Sequence, residues 1–126
     1  MFVLCYQVSS NICWQLANEI WRSYVNDLDK VPEAEGIYAI GDEDGTVLYV
    51  GHSKEMRTRL HQHKSGQEGI DKFVKGKFAR NGGINLRIKW VEGGNDECVE
   101  GENLEYIASN LGYWPQYNIR RGNTCQ

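Results

Sequence analysis

The chain has 126 residues, 40% of them hydrophobic and 25% charged, with two prolines, a length that suits one globular domain and is short for two, and a composition for which disorder is not the default. Its net charge of −3 conceals an asymmetry: residues 52–90 hold ten Lys/Arg against three Asp/Glu, a local +7, and the remainder carries −10. The total disfavours a nucleic-acid partner, whereas the basic stretch could hold a polyanion or serve as a solvated helix pair.

The apolar start, Met1 to Val8, has no basic lead-in and is interrupted by Gln7 and the Ser9-Ser10 pair. It matches neither a signal peptide nor a membrane span, so a cytoplasmic or nuclear protein is expected. Cys5, Cys13, Cys98 and Cys125 form no CxxC or Cys/His cluster, which points to reduced, buried thiols. Ser9 and Ser10 are good caps for a helix over 10–26, where Trp14, Ala17, Trp21 and Tyr24 recur at helical spacing. Residues 27–35, with Pro32 among them, break that period and form a connector. Strands are predicted at 36–41 and 46–50, joined by Asp42-Glu43-Asp44-Gly45, where glycine can take the positive φ of a tight hairpin.

Ser53 can cap a second helix in which Met56, Leu60 and the edge of His63 line one side. Arg57, His61 and Lys64 then project to solvent. A lysine-rich helix at 69–80 stops at Asn81-Gly82-Gly83. Alternation of Ile84, Leu86, Ile88 and Trp90 with Asn85, Arg87 and Lys89 predicts a third strand, and a last helix runs from about Asn95 to Gly112 on a Leu104, Ile107, Ala108, Leu111 stripe. The sum is an α+β fold, a small three-stranded antiparallel sheet covered by helices, with an extra N-terminal helix. Residues 1–35 are read as a helical extension packed on a domain of residues 36–126, one structural domain overall.

The hairpin opens on Gly36-Ile37-Tyr38 and closes on Tyr49-Val50-Gly51, and with the Arg- and His-bearing helix after it resembles the GIY-YIG nuclease family. Tyr38 to Tyr49 is a step of eleven, Tyr49 to Arg59 ten and Arg59 to His63 four, spacings similar to those of the family's phage homing endonucleases. "ENLEYI" supplies Glu102 at the place of the family's metal-binding glutamate, and "WPQYNI" supplies Asn118 at the place of its late asparagine. The resemblance covers residues 36–118, about two-thirds of the chain.

It implies a metal-dependent endonuclease acting on DNA. Glu102 would bind Mg²⁺ or Mn²⁺, a hard dication that needs few protein ligands because it keeps waters and takes substrate phosphate. Arg59 would clamp the nonbridging phosphate oxygens, and Asn118 would hold Glu102 or a catalytic tyrosine in place. Tyr38 is the implied general base with Tyr49 beside it. A phenol of reference pKa about 10 needs help in that role, and His63, at about 6.5, competes for it. Lys54, Arg57, Lys64, Lys72 and Lys75 of the basic stretch would contact phosphates. The rival reading is a catalytically weak or inactive nucleic-acid-binding module on the same fold. A protein-interaction module built on the acidic N-terminal helix is a third.

Overall fold

A computed structural model describes residues 15–67, 69–93, 108 and 111–118. All four cysteines, Glu102 and most of the predicted last helix lie outside the described residues; Ala108 and Leu111, which belong to that helix, are helical. In chain order the elements are β1 (Arg22–Ser23), α1 (Tyr24–Asp27), a 3-10 turn (Leu28–Lys30), β2 (Gly36–Gly41), β3 (Val47–Ser53), α2 (Met56–Gln62), α3 (Gly69–Asn81) and β4 (Arg87–Glu92). They build an antiparallel sheet of order β1-β4-β2-β3. Among the described residues no helix is long and apolar enough to cross a membrane.

The sheet has four strands, not the expected three, because the predicted helix at 10–26 is not continuous. Residues 15–17 are helical, the chain then turns, and Arg22 and Ser23 pair with Ile88 and Arg87 before α1 begins. Trp21 and Tyr24 explain the break. Trp21 packs with Leu16, Ile37, Ala39, Val47 and Val50, whereas Tyr24 lies in a second core with Tyr38, Ile40, Leu60, Val74 and Ile88. Residues 37 and 39 of β2 supply one core and 38 and 40 the other, so the two cores lie on opposite faces of the sheet. A helix would set residues 21 and 24 on one side; the short strand carries the chain past the sheet edge instead. Ser23 then caps α1, its Oγ accepting from the Asn26 amide at 3.1 Å.

All six residues of β2 are buried, as expected for a strand covered on both faces. Its turn into β3 is held by Asp42, whose Oδ1 accepts from the amides of Asp44 (2.9 Å) and Thr46 (3.0 Å), and by Gly45 at φ 82°. The register shifts between Ile40 and Gly41, where Ile40 faces Tyr49 and Gly41 faces Val47. This bulge lets Leu48 join the core of Tyr38 while Val47 turns to the opposite face. Helix α2 starts at Met56, later than a cap at Ser53 would set it, and Ser53 Oγ instead accepts from the Glu55 amide. The expected stripe holds: Met56, Leu60 and His63 are buried. Helix α3 ends as predicted, with Gly82 and Gly83 both at positive φ and bonded back to Phe78 and Lys77.

Candidate active site

Tyr38 and Tyr49 project from the paired strands β2 and β3 onto the face covered by α2 and α3, their ring centroids 6.3 Å apart. Gly51 is the Cα partner of Tyr38. A Cβ there would lie 2.5 Å from the Tyr38 phenol and 2.8 Å from the Tyr49 ring, so glycine is required for the Tyr38 ring to lie across the neighbouring strand. His63, just after α2, completes the aromatic group, with its ring 5.7 Å from Tyr38 and 5.5 Å from Tyr49. The Tyr38 hydroxyl is 2.7 Å from His63 Nε2, and His63 Nδ1 is 2.5 Å from Asp71 Oδ1 in the first turn of α3. A phenol, an imidazole and a carboxylate thus form one hydrogen-bonded chain through the interior: exposure is 1% at Tyr38, 0% at His63 and 2% at Asp71.

Tyr49 and Arg59 are partly exposed. Burial pushes the Tyr38 phenol well above its ordinary range; the neighbouring Tyr49 adds to that push, and the Arg59 guanidinium opposes it. Tyr24, whose hydroxyl donates to the Leu60 carbonyl at 2.5 Å, is raised in the same way by burial. Both phenols therefore stay neutral in the folded chain at pH values where unfolded tyrosines ionise. The stability they contribute is complete below about pH 10 and is lost above it, at up to about 1.4 kcal/mol per pH unit per phenol. Urea midpoints should be flat on this account up to about pH 9 and fall steeply beyond about pH 10; a midpoint unchanged at the higher pH would contradict the burial of both hydroxyls.

Asn118 meets the backbone of β3 next to Tyr49. Its amide clasps the backbone of Val50, Oδ1 accepting from the Val50 amide at 2.8 Å and Nδ2 donating to the Val50 carbonyl at 2.9 Å. With the Tyr117 amide on the Leu48 carbonyl, it fixes the outer edge of β3 on either side of Tyr49. Of the five basic residues singled out, Lys54, Lys72 and Lys75 are exposed. Arg57 is engaged by the connector, through Nε to the Val31 carbonyl at 2.8 Å and Nη1 to Glu33 at 2.7 Å, and does not project freely to solvent. The Lys64 ammonium lies 5.5 Å from the Phe78 ring centre. On the opposite face Lys89 is buried, its ammonium donating to the Ala17 carbonyl at 3.1 Å and stacking on Trp21 at 4.6 Å, so it adds little to the basic surface.

Among the described residues no group of three or more His, Cys, Asp and Glu side chains could hold a metal ion. Asp71, the carboxylate at this site, is committed to His63. Asp71 was not legible in the sequence as a site residue. Its signal is faint: a lone acid opening a lysine-rich helix, three residues after Glu68 and five after Gly66.

The GIY-YIG catalytic domain family matches this chain over residues 34–105, more than half its length. UvrABC system protein C from Saccharopolyspora erythraea is 30% identical over 90 residues, which cover 71% of this chain and 12% of that protein. The same protein from Methanosarcina mazei is 32% identical over 94 residues, covering 74% and 16%. The chain thus spans 12–16% of the length of these curated relatives. A solved structure of the GIY-YIG N-terminal endonuclease domain of UvrC from Thermotoga maritima, a point mutant bound to its catalytic divalent cation, is 23% identical at a TM-score of 0.45, covering 75% of this chain and 98% of that one.

Proposed function

This chain belongs to the GIY-YIG family, and from that premise we propose that it is a metal-dependent endonuclease hydrolysing phosphodiester bonds of DNA. The observation that carries the reading is the 2.7 Å hydrogen bond between the Tyr38 hydroxyl and His63 Nε2. Sequence left these two as competing bases; their contact supports reading them as successive members of one relay. As the attacking water gives a proton to the Tyr38 oxygen, Tyr38 passes its own proton to His63. No free phenolate forms, which matters because burial disfavours one here. The imidazolium that results faces the Asp71 carboxylate.

Water and phosphate would enter from the side of Tyr49 and Arg59, where the guanidinium fork can take the nonbridging oxygens as charge builds on them. Asn118 holds the strand that carries Tyr49, a supporting role played through the backbone. Glu102 is the proposed ligand for Mg²⁺ or Mn²⁺, and the bound dication would supply Lewis-acid stabilisation of the phosphate and leaving oxygen. The test is incubation of the chain with supercoiled plasmid and Mg²⁺ or Mn²⁺. Nicked or linear product that EDTA prevents is expected. Intact plasmid under conditions where the chain still binds DNA would leave only the binding-module reading.

The exposed lysines Lys54, Lys72 and Lys75 are proposed to meet the DNA backbone. If each neutralises one phosphate, log affinity should fall with log salt at a slope of about −3. Anisotropy of a labelled duplex, titrated between about 50 and 200 mM salt, measures it; a flat response would remove these residues from the interface.

A further inference from the structure

We infer that Asp71 is a positioning residue for the proton relay, setting which nitrogen of the His63 ring faces Tyr38. The inference rests on the nuclease reading above and gives that site a member which neither the family match nor the sequence motifs assign. An ionised carboxylate only accepts hydrogen bonds. With Asp71 Oδ1 at 2.5 Å from Nδ1, the Nδ1 position carries the proton and Nε2 turns its lone pair toward the Tyr38 hydroxyl, which donates to it at 2.7 Å. That is the one neutral ring form able to take a proton from the phenol. The opposite tautomer would point Nε2–H at the phenolic oxygen and block the transfer.

The surroundings are built for this contact. Both partners are buried, so bulk water does not compete for Nδ1. Asp71 sits in the first turn of α3, and the loop from His63 returns past it at Gly66, where any Cβ would collide with the Asp71 carboxyl group. Glycine at 66 thus makes room for the carboxylate against the loop. A merely structural role would be to tie the end of α2 to the start of α3, and an asparagine of nearly equal volume could do that as well. Asp71→Asn separates the two roles, because its amide can donate to Nδ1 and move the ring proton to Nε2.

The experiment pairs single-turnover plasmid cleavage with ¹⁵N NMR of the His63 ring in the wild-type chain and in Asp71→Asn. Expected are an Nδ1–H ring in the wild type, an Nε2–H ring in a folded Asp71→Asn protein, and a cleavage rate reduced by about 10²- to 10⁴-fold with little change in DNA affinity, as when a catalytic histidine is left in the wrong tautomer. A folded Asp71→Asn chain that cleaves at the wild-type rate would overturn the inference. So would an Nε2–H ring in the wild type, a result that stands even if the variant fails to fold. A wild-type chain that cuts no DNA would sink the nuclease reading and, with it, the catalytic part of the inference, while the ring spectra would still report whether Asp71 sets the tautomer.

Discussion

Tyr38→Phe should lower the single-turnover cleavage rate by about 10²- to 10⁴-fold, the usual cost of losing a group that accepts the proton from the nucleophile. The substitution removes one oxygen. The remaining ring keeps its place across Gly51 and its packing in the core with Ile40, Met56 and Leu60, so the fold should survive. Some stability is lost because His63 Nε2 gives up its 2.7 Å partner in a buried site, a change of roughly 1–3 kcal/mol. His63→Ala interrupts the same relay at its next member, since a phenol with no acceptor would have to form the buried phenolate. The two substitutions should therefore be non-additive: the double variant should be about as slow as the slower single one. Cleavage by Tyr38→Phe near the wild-type rate would remove the phenol from the reaction, and additive losses in the double variant would separate the two residues.

Glu102→Ala should abolish cleavage in Mg²⁺ and in Mn²⁺ alike while preserving DNA binding. A hard dication held by few protein ligands depends on each of them, and the transition-state stabilisation it supplies is several kcal/mol, about 10³-fold or more in rate. The residue adds negative charge, so its removal should leave affinity for the polyanion equal or slightly higher. Plasmid nicking beside duplex anisotropy for both proteins separates the two effects. Turnover by Glu102→Ala at the wild-type level would assign the metal elsewhere; loss of binding together with cleavage would make the residue part of the fold.

Local patterns determined a large part of this protein. The short apolar run Gly36–Gly41 and the Asp42 to Gly45 turn gave the hairpin, because an apolar run bounded by turn residues and a positive φ are properties of neighbouring residues. Helical spacing put Met56, Leu60 and His63 on one buried side, and the glycine pair ended α3 where expected. The order of Tyr38, Tyr49, Arg59 and His63 was likewise readable, and the fold brings the two tyrosines and the histidine together. Tertiary structure decided what depends on partners distant in the chain. Trp21 and Tyr24 share a helical period, yet the cores they serve lie on opposite faces of the sheet, so a strand stands where the period predicted helix. Asn118 stands in the sequence only as a late asparagine, and the fold alone shows that both ends of its amide meet the open edge of β3 beside Tyr49. Arg57 belongs by sequence to a basic surface, and the carbonyl of Val31 and the carboxylate of Glu33 hold it. Asp71 counts in the sequence as one acid among lysines; only the packing of α3 against the end of α2 sets it on His63, because a buried carboxylate must find its hydrogen-bonding partner wherever the fold supplies one.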